Sequence, residues 1–170
     1  MKRSFDVAAA WKAATTDGCR VLVVEPSEAS AAVVIGFLES LGAVPLWVLE
    51  ETDAAIAVAA QESPELILMT VCYHDVAPAV AGLAAIRAAE LRASKKRTPV
   101  IALSTMSTYE LKSKGASGFD DYLQIPFDNA ELTAVVGPYI DLNSTLVGSR
   151  ILREFSEALD DTDDFSPLLH

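Results

Sequence analysis

Positive charge is scarce in this chain. Thirteen Lys and Arg stand against 24 Asp and Glu, a formal net charge of -11 over 170 residues, whereas a nucleic-acid reader needs a basic face to neutralise phosphates. The one dense basic run, Lys95-Lys96-Arg97, reads as a solvated helix end, so nucleic-acid partners are excluded. Cysteine is equally sparse. Cys19 and Cys72 are the only two; one precedes an expected strand and the other follows one, which makes no disulfide framework and fits reduced thiols. Long apolar runs are missing as well. None approaches the roughly 20 residues that a bilayer helix needs, and Asp6 and Lys12 interrupt the stretch that a signal peptide keeps apolar. A cytoplasmic protein without membrane insertion is expected. Glycines are scattered rather than clustered, and Gly115 and Gly118 alone do not make a phosphate-cradling loop.

What the chain has in quantity is apolar side chains, 51% of its residues, enough for the core of one domain with terminal additions. From Arg20 to Ile140, apolar runs of strand length alternate with helical patterns, the mark of a parallel sheet covered on both faces. The runs are Val21 to Val24, Val44 to Leu49, Leu66 to Met69, Val100 to Leu103 and Asp121 to Leu123. Between them, Ser27 is placed to cap a helix from Glu28 to Leu41, with Val33, Val34, Phe37, Leu38 and Leu41 at helical spacing and Gly42 as its stop. Four further helices are expected over Asp53 to Gln61, Pro78 to Ser94, Thr108 to Lys114 and Asp128 to Tyr139.

Both ends extend past this core, giving an expected division into residues 1–19, 20–140 and 141–170. Phe5, Ala8, Trp11 and Thr15 share one face of a possible helix over Ser4 to Thr16. Leu146, Ile151, Leu152, Phe155 and Leu159 form an amphipathic pattern in the segment Asn143 to Leu159, weakened by Gly148. That stripe needs a surface to cover it, on its own domain or in a homodimer. The run Asp160-Asp161-Thr162-Asp163-Asp164 follows as an acidic tail.

In an open parallel α/β sheet, ligands gather outside the carboxyl ends of the strands. The residues there are Glu25 and Pro26, Thr70, Ser104 and Ile125. Four blocks surround them: Val21-Leu22-Val23-Val24-Glu25-Pro26, Leu66-Ile67-Leu68-Met69-Thr70, Thr98-Pro99-Val100-Ile101-Ala102-Leu103-Ser104, and Asp120-Asp121-Tyr122-Leu123-Gln124-Ile125-Pro126-Phe127. In their order and over Arg20 to Ile140 they resemble the response-regulator receiver domain, the CheY-like family. The resemblance implies a flavodoxin-like, doubly wound five-stranded parallel sheet of order 2-1-3-4-5, with extra helices at both termini. It also implies a bacterial two-component signalling domain that takes a phosphoryl group from a histidine kinase or phosphotransferase. The family's pair of metal-binding acids falls on Glu25 and Pro26, its phosphoacceptor aspartate on Thr70, its signalling hydroxyl on Ser104, its aromatic switch on Tyr122 and its lysine on Ile125. Family members often hold the peptide bond equivalent to Ile125-Pro126 cis, normally in a tight turn.

Three of these positions have lost their chemistry. Mg²⁺ wants oxygen ligands with carboxylate charge among them, and Pro26 and Thr70 leave only Glu25. A threonine hydroxyl is a poor nucleophile without an adjacent base and forms no acyl phosphate. Ile125 removes the cation that steadies the incoming phosphoryl oxygens. The expectation is therefore a degenerate pocket with no cofactor and no catalysis, in a pseudo-receiver that acts by binding a histidine kinase, a phosphotransferase or another receiver. In the family, partners commonly meet the face of the fourth helix, fifth strand and fifth helix, which makes Tyr109, Leu111 and Tyr122 the candidate anchors and Ser104 with Tyr122 the candidate switch. Core packing is the competing reading of those three residues, and the helix from Glu28 to Leu41 is the competing surface. Two other functions are weighed. One is a small-molecule sensor, for a nucleotide or metabolite, in the altered pocket. The other is an enzyme using Thr70, His74 and Asp75 in a loop longer than the family's usual one. A DNA-binding output domain is not expected, since about thirty residues after Ile140 are too few for one and carry the wrong charge.

Overall fold

Five strands of four or five residues carry the core: β1 (Arg20–Val24), β2 (Val44–Val48), β3 (Leu66–Thr70), β4 (Val100–Ser104) and β5 (Asp121–Gln124). In the computed structural model, which describes residues 18–48 and 53–140, they form one sheet of order β2-β1-β3-β4-β5. Every pairing is parallel, with Leu22 opposite Leu46 and Ile67, Met69 opposite Ala102, and Leu103 opposite Leu123. The fold is the expected doubly wound one. The terminal helices over Ser4 to Thr16 and Asn143 to Leu159, the acidic tail and Leu49 lie outside the described residues.

Strand side chains alternate between two faces, and both are buried, which is why these strands read as unbroken apolar runs rather than alternating ones. Leu22, Val24, Ile67, Met69, Val100 and Ala102 enter one cluster. Val21, Val23, Leu66, Leu68, Ile101 and Leu103 enter the other. The first cluster is covered by α2 (Asp53–Glu62), α3 (Ala77–Arg92) and α4 (Thr108–Ser113), through Ala55, Leu83, Ile86 and Leu111. The second is covered by α1 (Glu28–Ser40) and α5 (Asn129–Val136), through Val34, Leu38, Leu132 and Val136.

Local signals explain where the helices start and stop. Ser27 caps α1 by accepting from the Ser30 amide, and Gly42 leaves it with a φ of 77°, a left-handed conformation that favours glycine. In α4, only six residues long, Ser107 and Glu110 exchange hydrogen bonds in a capping box. Asp128 and Glu131 do the same for α5. That helix ends at Val136 rather than the expected Tyr139; Pro138 has no amide to extend the ladder. Likewise α3 closes at Arg92, two residues early, where Ser94 turns to a φ of 51°.

At the amino edge of the sheet a charged network ties three segments together. Asp120, just before β5, accepts from Arg87 of α3 at 2.7 Å, from Arg97 at 2.8 Å and from the Val100 amide at 2.8 Å. Arg87 also meets Glu90 and the Thr98 carbonyl. Most of the charge pairing in the described residues thus sits at the end away from the strand carboxyl termini.

Candidate functional site: the carboxyl edge of the sheet

Because all five strands run the same way, the residues that follow β1, β3, β4 and β5 converge on one edge. Glu25 is the buried acid there, 4% exposed. Its Oε1 accepts from the Ser27 amide at 2.8 Å and its Oε2 accepts from the Thr70 hydroxyl at 2.5 Å. Two positions expected to belong to one pocket are therefore joined directly, β1 to β3. Pro26 is exposed beside them and supplies no acid.

Ser104, 1% exposed, ends β4. Its hydroxyl donates to the Val71 carbonyl at 2.9 Å and accepts from the Met106 amide at 3.3 Å. The following loop is thereby stitched to the end of β3. Ile125 donates its amide to the Ser104 carbonyl at 2.7 Å, and its half-buried side chain packs against the apolar cluster beneath α1 and α5. Its bond to Pro126 is cis. An aliphatic side chain committed to that cluster brings no positive charge to the edge.

This donor set does not suit Mg²⁺. Both oxygens of the single carboxylate already accept from protein donors, and Pro26 and Thr70 add no further charge. Nor do Thr70, His74 and Asp75 assemble a catalytic group. The Thr70 hydroxyl is directed at Glu25, Asp75 accepts from the Ala77 amide at 3.0 Å, and His74 stands edge-on to the Tyr73 ring at 5.2 Å. Neither His74 nor Asp75 is therefore the hydrogen-bond partner of the Thr70 hydroxyl, as a base drawn from those two would have to be.

The outer flank carries the aromatic residues. Tyr109 on α4 is 82% exposed. Tyr122 on β5 is half-buried; its hydroxyl donates to the Ala116 carbonyl at 3.2 Å, and its ring lies 6.0 Å from Phe119. Burial pushes that hydroxyl above the ordinary phenol range, so it remains a donor. Leu111 requires a correction: it is 1% exposed and fully within the core, so it offers nothing to a partner. It lies on the inner side of α4, whereas Tyr109, two residues earlier, faces out.

Three features of this edge were not anticipated from sequence. The Val71 carbonyl as the partner of Ser104, Lys112 over the Tyr122 ring and Lys114 over the Tyr73 ring, each ammonium 5.2 Å from its centroid, all arise from tertiary contact. Local spacing carries no signal for them.

A parallel sheet of this order, with helices on its two faces and a buried acid and serine at its carboxyl edge, is the receiver-domain fold of the CheY-like family, and this chain is similar in structure and sequence to receiver domains and to histidine kinases that carry them. Among solved structures, the receiver domain of the sensor histidine kinase PA1611 from Pseudomonas aeruginosa, with a magnesium ion in its active-site cleft, is 28% identical at a TM-score of 0.57. The match covers 69% of this chain and 93% of that one. Chemotaxis protein CheY4 of Vibrio cholerae is 25% identical at a TM-score of 0.55, over 68% and 93%. Among curated proteins, the sensor protein GacS of Pseudomonas syringae pv. syringae is 35% identical over 118 residues, and the hybrid signal transduction histidine kinase G of Dictyostelium discoideum 31% over 134. The match takes in 69% and 75% of this chain but only 13% and 4% of those two proteins. No family model matches the chain.

Proposed function

We propose that this chain is a pseudo-receiver: a receiver domain that works in two-component signalling by binding a protein partner, without accepting phosphate. The carrying observation is the direct hydrogen bond from Thr70 to Glu25. In a phosphorylatable domain this edge has to hold a metal ion, an aspartate nucleophile and a cation around a transferring phosphoryl group. Here a hydroxyl occupies the nucleophile's place and donates to the remaining acid, and Ile125, half-buried against the cluster beneath α1 and α5, carries no charge. Positioning and charge stabilisation are both missing, and these supply nearly all the catalysis in phosphoryl transfer. We assign the chain no enzymatic activity.

The partner on this reading is a histidine kinase, a phosphotransferase or another receiver, met in the cytoplasm. The similarity to GacS and to hybrid kinase G supports that circle of partners. The exposed Tyr109 and the half-buried Tyr122 support the α4 and β5 flank as the contact, since aromatic residues often dominate interface energy. No helix of the described residues is long and apolar enough to cross a membrane.

The test is phosphotransfer. The full chain incubated with Mg²⁺ and a phosphorylated kinase or phosphotransferase partner should acquire no phosphate, while changing the transfer rate between that partner and its working receiver. Mg²⁺-dependent phosphate on this chain would overturn the reading.

A further inference from the structure

Helices α2 and α3 face each other through small side chains, and the space between them is not filled. Ile56, Ala59 and Ala60 of α2 and Ile86, Ala89 and Ala93 of α3 line a cavity of about 30 Å³. Ala60 and Ala93 are exposed, so it opens at the surface. Its two polar neighbours are already engaged. Lys95 donates to the Ala60 carbonyl at 2.5 Å and to the Ser63 hydroxyl at 2.8 Å, while Glu90 accepts from Arg87 at 3.0 Å and from the Thr98 amide at 2.7 Å. The Lys95 bridge ties the ends of the two helices together and sets one wall of the opening. What remains is an apolar hollow far too small for a nucleotide or metabolite, and suited to the edge of one large apolar side chain.

The start of β1 lies at the same corner. The Arg20 guanidinium donates to the Ser63 carbonyl at 3.2 Å, and Ser63 in turn holds Lys95 at the mouth, so the chain enters the sheet two hydrogen bonds from the cavity. Residues 1–17 precede that point, and their sequence carries the stripe Phe5, Ala8, Trp11 and Thr15, which needs cover. We infer that this N-terminal segment folds back over α2 and α3 and seats an edge of the Trp11 ring in the cavity, its alanines against theirs. Trp11 is the nearest large apolar residue of the stripe to the corner. Six residues separate it from Asp17, about 9 Å as helix and about 20 Å extended, enough to carry the ring to a mouth so close to Arg20. An aromatic ring brings more apolar area to such a contact than any other side chain of the stripe could. The inference stands apart from the protein-binding reading, which does not use this face.

Tryptophan emission tests it. In the full chain carrying Trp47→Phe, Trp11 is the one remaining tryptophan. Its emission should lie at shorter wavelength than that of N-acetyltryptophanamide and resist quenching by acrylamide, both independently of protein concentration. Ala89→Leu, added to that chain, fills the cavity from within and should return the emission to that of the free amide, with unchanged circular dichroism showing that the domain is folded. With Trp47 retained, Trp11→Ala should speed amide exchange about tenfold at residues 56–60 and 86–95 and leave the other strands and helices as they were. Solvent-like emission in the parent, emission unmoved by Ala89→Leu, or exchange unmoved by Trp11→Ala would each overturn the inference. A shift to shorter wavelength that grows with protein concentration would overturn it as well, by making the occupant the segment of a second copy.

Discussion

A hydroxyl in place of a carboxylate changes what Thr70 can do at the end of β3. An aspartate there, beside buried Glu25, places two negative charges together and needs a cation to compensate. Threonine brings no charge and donates to the Glu25 carboxylate, which on the proposed reading replaces the metal ion's role at this junction. The hydrogen bond then contributes to stability. In Thr70→Val, close to isosteric, Glu25 loses that donor, and a net cost of about 1–2 kcal/mol is expected. Urea unfolding checks it: a lowered midpoint with an unchanged slope is the expected result, and an unmoved midpoint would mean that the bond contributes nothing. The three altered positions were legible in the chain because each follows an apolar run whose end is easy to place. What they do instead was not legible. Leu111 shows the same boundary from the other side, since a six-residue helix has too few apolar positions for its buried face to be read from spacing.

Among the elements, the strands matched expectation most closely. Runs such as Val21 to Val24 and Val100 to Leu103 are apolar on both faces, and only a sheet covered on both sides accommodates that. Helix ends were harder, because they depend on caps and on proline rather than on periodicity, as Pro138 and Ser94 illustrate. The Asp120 network was not foreseen at all, joining α3, the segment before β4 and the start of β5 across 20 to 33 residues of chain. Its acid has a defined pH consequence. Burial alone would raise the Asp120 pKa, but the bonds from Arg97 and Val100 and the charges of Arg87 and Arg97 outweigh it and hold the group below its ordinary value. A carboxylate with a depressed folded pKa contributes stability that is fully present above its unfolded pKa, near ~3.9, and is lost as pH falls through the lower folded value. Asp120→Asn should therefore destabilise the domain at neutral pH, by about 1–2 kcal/mol after screening at a partly exposed site, and flatten the acid limb of its stability curve. Parallel acid-unfolding curves of equal slope for the two proteins would count against the network.

Among the described residues, ion pairs and hydrogen bonds divide between the two ends of the sheet. Ion pairs collect at the amino edge of the sheet, hydrogen bonds to Glu25 and Ser104 close the carboxyl edge, and Lys112 and Lys114 lie over tyrosine rings on the α4 flank. The sequence beyond Ile140 adds a separate question, since Leu146, Ile151, Leu152, Phe155 and Leu159 make an apolar pattern that needs cover. We favour cover on the chain's own domain, and the alternative is a homodimer through that stripe. On that alternative, sedimentation of the full chain depends on concentration over the micromolar range while a chain ending before Asn143 remains monomeric; a monomer in both cases removes the dimer. The Thr70 to Glu25 bond has one more consequence, concerning time. An acyl phosphate decays by hydrolysis and so limits how long a signal lasts, whereas a hydroxyl donating to a carboxylate has no lifetime to run down. On the proposed reading, the cell ends this chain's message only by diluting, degrading or outcompeting the protein itself.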